Sequence, residues 1–381
     1  MTASRLHQLS AAGQSVWLDF IDRTILQNGE LVRRIRDDAL SGMTSNPTIF
    51  EKALAEGHAY DEQLAAAAEG ATAWEMFELV ETDDVRTACD IFSGVYQATK
   101  GGDGYVSIEV SPGVASDTAA TVEEARRLWK TVGRPNVMIK VPGTAEGTRA
   151  VRQLIADGIN VNITLLFAVE AHRRVIEAYL AGLEDRAAAG RPLDHIASVA
   201  SFFVSRVDTE VDKRLDALLA AAPERDRERI AAFKGKAAIA NAKLAYQLFR
   251  EMFAGPRGEQ LRAKGARLQR PLWASTSTKN PAYRDVMYVE DLIGPDTVNT
   301  MPPATLDAFR DHGETRRTVD THLDAERQLL AELEATGISM RDVTDKLLVE
   351  GLASFQKSFD TLVAGLEAKV RQLGGAVAAG R

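Results

Sequence analysis

The sequence holds a single cysteine, Cys89, among 381 residues. No internal disulfide is possible, which fits a reducing cytoplasm. Cys89 sits in a helix-like stretch without a basic neighbour and reads as a small core residue rather than a nucleophile. Long apolar runs are missing too. Nowhere do about 18 apolar residues follow one another, so no membrane-spanning helix is expected. Met1 to Ser15 carries no signal-peptide pattern. The six histidines are scattered, without an HxH or HExxH pair, which argues against a histidine-built metal centre. Positive charge is in deficit. The formal net charge is -8, which argues against a nucleic-acid or anionic-membrane surface. Any phosphate site must then be built locally, from a few placed cations and backbone donors. The segment from Val141 to Thr148 lacks the GK[ST] ending of a phosphate loop. No solenoid repeat, low-complexity linker or domain boundary interrupts the chain, so residues 1–381 read as one domain.

What is present is a globular composition, 45% hydrophobic and 26% charged. Short apolar runs alternate with longer stretches of helical period. The candidate strands are Val16–Asp19, Gly42–Asn46, Tyr105–Val110, Val137–Val141, Ile159–Leu166, Ala197–Phe203, Leu272–Ser275 and Thr297–Met301. Helices between successive strands imply parallel pairing, because parallel strands need long crossovers. About eight such units predict a (β/α)₈ (TIM) barrel of the α/β class with additional helices. Residues 51–100 are too long for one crossover helix and read as two or three. Residues 207–267 likewise read as more than one. Beyond the last strand, residues 315–372 read as a helical extension. Val319, Leu323, Leu330 and Leu333 mark one apolar stripe. Leu348, Leu352, Phe355, Phe359, Leu362 and Leu366 mark a second, and both are read as packing on the barrel. The tail from Gly374 to Arg381 is expected to fray.

Each of the first seven candidate strands carries polar groups at or near its C-terminal end: Asp19, Thr44-Ser45-Asn46, Ser107 and Glu109, Lys140, Asn162 and Thr164, Ser201, Ser275. Residues two apart in a strand share a face. Thr44 with Asn46, and Asn162 with Thr164, are therefore expected to point inward, and Val106, Ile108, Val137 and Ile139 outward. Barrel active sites are built at this end of the strands. Lys140 is the sharpest member, because an unpaired buried ammonium is costly. Desolvation favours the neutral form of an amine, and a neutral amine is a nucleophile able to form a Schiff base with a carbonyl. The alternative is a lysine snorkelling to the surface from a strand end. Asp19 and Glu109 can act as acid and base, with a water held by Thr164, or can serve as a structural ion network around Lys140. Asn46 and Asn162 suit sugar hydroxyls, or read as satisfied turn or strand-end amides.

Two cations suggest an anionic end to the substrate. Arg206 follows the sixth strand and Lys279 the seventh, where barrels commonly bind phosphate. Arginine suits a bidentate phosphate contact. Its alternative is a surface pairing with Asp208 or Glu210.

With these residues in place the chain resembles transaldolases, particularly the longer bacterial type, over nearly its whole length. Thr44-Ser45-Asn46-Pro47-Thr48 resembles the family's TxNP segment, and Ile139-Lys140-Val141-Pro142 its Schiff-base lysine strand. Asn160 to Phe167 is similar to the N-x-T-L-L-F strand, and Ser201 to Arg206 to the S-x-F-V-x-R segment. Phe202 and Ser205 depart from residues common there. Many members carry a second arginine in an A-S-x-R-N setting after the seventh strand. Here Ala274-Ser275 is followed two residues late by Lys279-Asn280, and Lys279 is read as a point charge in its stead.

The resemblance implies a class I aldolase-type barrel that transfers a dihydroxyacetone unit through a Schiff base on Lys140. The donors would be sedoheptulose 7-phosphate or fructose 6-phosphate. The acceptors would be glyceraldehyde 3-phosphate or erythrose 4-phosphate, as in the non-oxidative pentose phosphate pathway. By that resemblance Asp19 is the acid/base, and Glu109 and Thr164 hold the water of the proton steps. Thr44, Asn46, Asn162, Ser201 and Ser275 belong to substrate binding, and Arg206 and Lys279 to the phosphate. No metal or organic cofactor is implied. Sugar phosphates are the expected partners, and a monomer and a homodimer both stay open. A related aldolase that releases free dihydroxyacetone, and a catalytically silent sugar-phosphate-binding barrel, are the other readings.

Overall fold

The computed structural model describes residues 4–55, 58–67 and 71–379. Eight strands close into a barrel in chain order, every neighbouring pair parallel. They are β1 (Gln14–Asp19), β2 (Leu40–Thr44), β3 (Tyr105–Glu109), β4 (Val137–Pro142), β5 (Val161–Leu166), β6 (Ser198–Phe203), β7 (Gln269–Ala274) and β8 (Thr297–Met301). The expected (β/α)₈ barrel with extra helices is therefore the observed fold.

The strands form because their apolar residues are needed on both faces. Val106, Ile108, Val137 and Ile139 are fully buried on the face opposite Glu109 and Lys140, where the surrounding helices cover them. The barrel interior below the mouth is filled by side chains. The Trp17 indole Nε1 donates to Asp103 Oδ1 at 2.8 Å. Its ring lies so close to Gly42 that an added Cβ there would sit 2.3 Å from the indole. Only glycine admits that approach.

Several strand ends differ from the expectation. β2 stops at Thr44, and Ser45 and Asn46 follow it. Pro47 opens the next helix, Pro47–Ala55, and Asn46 Oδ1 accepts from Ile49 N at 3.1 Å. A proline in the first turn and an asparagine cap end the strand earlier than the apolar pattern suggests. Val110 lies beyond β3, and Ser275 lies beyond β7 with φ +54. Leu165, inside β5, has φ +59, and the β5–β6 register shifts between Ile163 and Leu166. Such bulges re-aim strand side chains beside active sites.

The described part of residues 51–100 holds three helices, Pro47–Ala55, Asp61–Ala67 and Ala73–Ala98, and residues 56–57 and 68–70 lie outside the described residues. The third opens with a Thr72–Glu75 capping box. Four helices cover the stretch expected to hold more than one: Ser205–Ala221, Glu224–Ala231, Ala237–Ala254 and Pro256–Ala263. Val319 was expected on a helical stripe but precedes the Leu323–Ala335 helix. It is buried against Gly294 instead, where an added Cβ would meet Val319 Cγ1 at 2.2 Å. The final helix, Met340–Ala379, continues through the tail expected to fray. Its last residues, Ala376 to Ala379, are mostly alanine, the strongest helix former. Gly380 and Arg381 lie outside the described residues. Phe355, Leu362 and Leu366 of this helix are buried, and Phe359 packs on Trp74 at 5.2 Å between ring centres. The helix lies along Pro47–Ala55 and reaches the end of β5.

Candidate active site

A cavity of about 600 Å³ opens at the C-terminal ends of the strands. Nine of the eleven expected site residues line it: Asp19, Thr44, Asn46, Lys140, Thr164, Ser201, Arg206, Ser275 and Lys279. Glu109 and Asn162 do not. They are the register partners of Lys140 on β3 and β5 and flank it from either side.

Lys140 does not snorkel. It is 5% exposed, and its Nζ lies 3.0 Å from Glu109 Oε2. It also donates to the Ser45 carbonyl at 2.8 Å. That carbonyl is available because the chain turns after β2, and Ser45 Oγ is pinned to the Ser107 carbonyl at 2.9 Å. Burial pushes the Glu109 carboxyl above the usual carboxylate range, and the Lys140 charge opposes the shift. The ion-pair alternative for Glu109 is thus realised. The pair still leaves acceptor capacity, since Glu109 Oε1 and Thr164 Oγ1 are buried without a hydrogen-bond partner among the described residues.

Asp19 ends β1 beside Thr44, its register partner. Thr44 Oγ1 donates to Asp19 Oδ1 at 2.7 Å and also contacts Thr300 Oγ1 at 2.7 Å. Burial raises the Asp19 carboxyl above its ordinary range. The Thr44 hydrogen bond and the charges of Lys140 and Arg206 offset part of that rise. A buried carboxylate held near such cations is suited to receive and return a proton.

Asn162 fits the satisfied-amide alternative. Its Nδ2 donates to Ser107 Oγ at 3.0 Å, and its Oδ1 accepts from Ser201 Oγ at 2.6 Å. It therefore orients Ser201, which does face the cavity. Asn46 reaches the cavity from a helix cap rather than from a strand.

Arg206 opens the Ser205–Ala221 helix, its guanidinium stacked over the Phe203 ring at 5.3 Å. The surface-pairing alternative fails. Glu210 is taken by Arg214 and Lys346, and Asp208 by Ala238 N and Tyr288 OH. Burial lowers the basicity of Arg206, with Asp19 opposing. Lys279 is exposed, and its Nζ donates to Ser277 Oγ at 2.9 Å on the cavity wall.

Sequence reasoning missed several lining residues: Lys52 on the Pro47–Ala55 helix, Thr300 on β8, and Ser354 and Phe355 on the final helix. Thr300 had a signal, a polar residue near the end of the eighth strand. Glu81 was also missed. It is buried on the Ala73–Ala98 helix, and burial first, then Glu109, push its carboxyl well above the usual range. Among the described residues no group of three or more His, Cys, Asp or Glu side chains could hold a metal ion, and no helix is long and apolar enough to cross a membrane.

The family model Transaldolase/Fructose-6-phosphate aldolase matches residues 16–366. A protein from Thermobifida fusca described as a transaldolase is 51% identical, covering 94% of this chain and 96% of its own. One from Trichodesmium erythraeum is 47% identical, over 98% and 99%. A third, from Mycolicibacterium paratuberculosis, is 49% identical, over 99% and 100%. A barrel whose fourth strand carries a buried lysine, matched over nearly its full length, belongs to the transaldolase/fructose-6-phosphate aldolase family.

Proposed function

We propose that this chain is a transaldolase. It moves a dihydroxyacetone unit from sedoheptulose 7-phosphate or fructose 6-phosphate to an aldose phosphate, glyceraldehyde 3-phosphate or erythrose 4-phosphate. That places it in the non-oxidative pentose phosphate pathway. The observation that carries the reading is the buried Lys140 amine beside Glu109, in a cavity whose rim holds Arg206 without an acidic partner among the described residues. A single buried cysteine fits a cytoplasmic site of action.

The free amine of Lys140 adds to the ketone C2 of the donor. The carbinolamine loses its hydroxyl as water and leaves an iminium. Asp19 takes the proton of the C4 hydroxyl. The C3–C4 bond breaks, its electron pair moves into the iminium to give an enamine, and the shortened aldose phosphate departs. The enamine carbon then attacks the acceptor aldehyde, and Asp19 returns the proton to the new hydroxyl. Water hydrolyses the iminium and frees Lys140. Glu109 and Thr164 are suited to hold that water, because both carry buried oxygens without a partner among the described residues, Glu109 beside the amine and Thr164 on the wall of the cavity that Lys140 lines. Ser201, oriented by Asn162, and Asn46 bind the dihydroxyacetone hydroxyls, with Thr44 and Ser275 completing the wall. Arg206 and Lys279 take the phosphate. The iminium is itself the electron sink, so the scheme needs no further cofactor.

Borohydride reduction with fructose 6-phosphate tests the assignment. A single stable adduct at Lys140, found by peptide mass spectrometry, is expected. An adduct at another lysine, or none with active protein, overturns it. A coupled assay with and without erythrose 4-phosphate separates transfer from release, and dihydroxyacetone formed at a similar rate without acceptor would make the chain an aldolase instead.

A further inference from the structure

The segment after β7 is tied to the Ser205–Ala221 helix at three points. Ser205 Oγ contacts Ser275 Oγ at 2.9 Å. Tyr288 OH donates to Asp208 Oδ2 at 2.8 Å. Tyr283 OH donates to Asp212 Oδ2 at 2.5 Å. Residues 205, 208 and 212 are spaced by three and four and so share one face of the helix. The same helix carries Arg206 in its first turn. Lys279 lies within the tied segment, between Ser275 and Tyr283.

The Tyr283 tie is the one nearest Lys279, and it is built from both sides. Asp212 Oδ1 accepts from Gly235 N at 3.0 Å, so the carboxylate is held by backbone before the tyrosine meets it. Gly235 has φ +69, and an added Cβ would come within 2.7 Å of the Tyr283 ring. The phenol therefore lies flush against a backbone position that no other residue suits. Tyr283 N closes back on Asn280 O at 3.1 Å, and Asn280 directly follows Lys279. Lys279 lines both the active-site cavity and the hollow of about 310 Å³ that holds Asp212 and Tyr283. An exposed lysine has much rotamer freedom, and fixing its backbone reduces what must be ordered on binding.

We propose that Tyr283 is a positioning residue for substrate phosphate: its bond to Asp212 fixes the post-β7 loop so that Lys279 and Arg206 converge on one anion. The proposal rests on the reading of the cavity as a sugar-phosphate site. It offers a structural account of a lysine that follows Ser275 at a longer spacing yet still lines the cavity.

The test compares the kcat/KM ratio for fructose 6-phosphate over unphosphorylated fructose as donor, with erythrose 4-phosphate as acceptor. Wild type, Tyr283→Phe, Lys279→Ala and the double variant are measured, with Asp212→Ala as a second break of the same bond. Melting temperature is followed throughout. Lys279→Ala is expected to lower the ratio about tenfold, and Tyr283→Phe about threefold to fivefold, through KM for the phosphorylated donor and not through kcat. The double variant should be no worse than Lys279→Ala. A purely structural tyrosine would lower the melting temperature and leave the ratio alone. An unchanged ratio in Tyr283→Phe and Asp212→Ala, an equal loss with Lys279 already removed, or a Lys279→Ala protein with the wild-type ratio each overturns the proposal. Failure of the sugar-phosphate reading itself shows separately, as loss of the borohydride adduct at Lys140.

Discussion

Lys140 Nζ and Glu109 Oε2 stand 3.0 Å apart with both side chains buried, so each is the other's main charge compensation. The Lys140 charge is what restrains the rise in the Glu109 carboxyl. Removing it by Lys140→Met leaves Glu109 with burial and Asp19, both of which raise it further. A carboxyl raised in the fold contributes stability that is full below its unfolded range and is lost as pH climbs toward the folded value. Lys140→Met is therefore expected to form no borohydride adduct and to lose stability relative to wild type between pH 5 and pH 8. Denaturant melts at these two pH values check it. A pH-independent difference would mean that the pair is not coupled as described.

Asp19→Asn keeps an oxygen able to accept from Thr44 Oγ1, the 2.7 Å bond that orients the side chain. It removes the carboxylate proposed as the base. Turnover is expected to fall by about a thousandfold or more, the upper range for a positioned proton-transfer group. The Schiff base forms at another atom, so the Lys140 adduct should still be trapped with fructose 6-phosphate. Full activity in this variant would take Asp19 out of the proton transfer.

The barrel and the core of the site were legible for a physical reason. Parallel strands buried on both faces tolerate polar residues only where a cavity or partner receives them, so Asp19, Glu109, Lys140 and Thr164 stood out. Asn46 was found for a partly wrong reason: it caps the Pro47–Ala55 helix and reaches the cavity from there, not from a strand. Ser275 lies in the left-handed region, which alternation cannot show. Phe355 was legible as apolar but not as a cavity wall, because a stripe facing the barrel looks the same over its core and over its mouth. Lys52 sits on a helix with nothing in its spacing to mark it. The Tyr283–Asp212 bond joins residues 71 apart, and no local pattern encodes it.

His172 gives a pH dependence of the opposite sign. It is fully buried beside Phe202, and neither ring nitrogen has a hydrogen-bond partner among the described side chains. Burial lowers it to about 4, with the Ala245 backbone opposing. The unfolded chain takes up the proton near 6.5, so stability is full above that value and falls as pH drops toward 4. The loss approaches about 3 kcal/mol. His172→Phe should remove this component. The stability difference between the two proteins is expected to shift in favour of the variant by that amount between pH 7 and pH 4, whatever the buried carboxyls contribute to both. A constant difference would show that His172 does not titrate in this range.

Gly351 is where the final helix touches the mouth. An added Cβ would meet Leu165 Cδ2 at 2.9 Å and Arg206 Nη1 at 3.8 Å. Leu165 is itself held at φ +59, a left-handed conformation that costs about 1–2 kcal/mol in a non-glycine residue. The helix thus rests on a strained residue near Arg206, while its Phe355 walls the cavity. Transfer rather than hydrolysis depends on keeping water from the enamine while the first aldose leaves. Alanine meets only the end of a leucine side chain, which can turn aside, and Gly351→Ala is expected to behave nearly as wild type. The branched side chain of Gly351→Val has no such escape, and overpacking of this kind costs about 1–3 kcal/mol. The least costly relief is to lift the helix from Leu165. Gly351→Val should then raise KM for fructose 6-phosphate and increase the dihydroxyacetone released per turnover without acceptor. Measured release that stays at the wild-type level, with KM raised, would mean that the helix shapes the phosphate site but does not keep water from the intermediate.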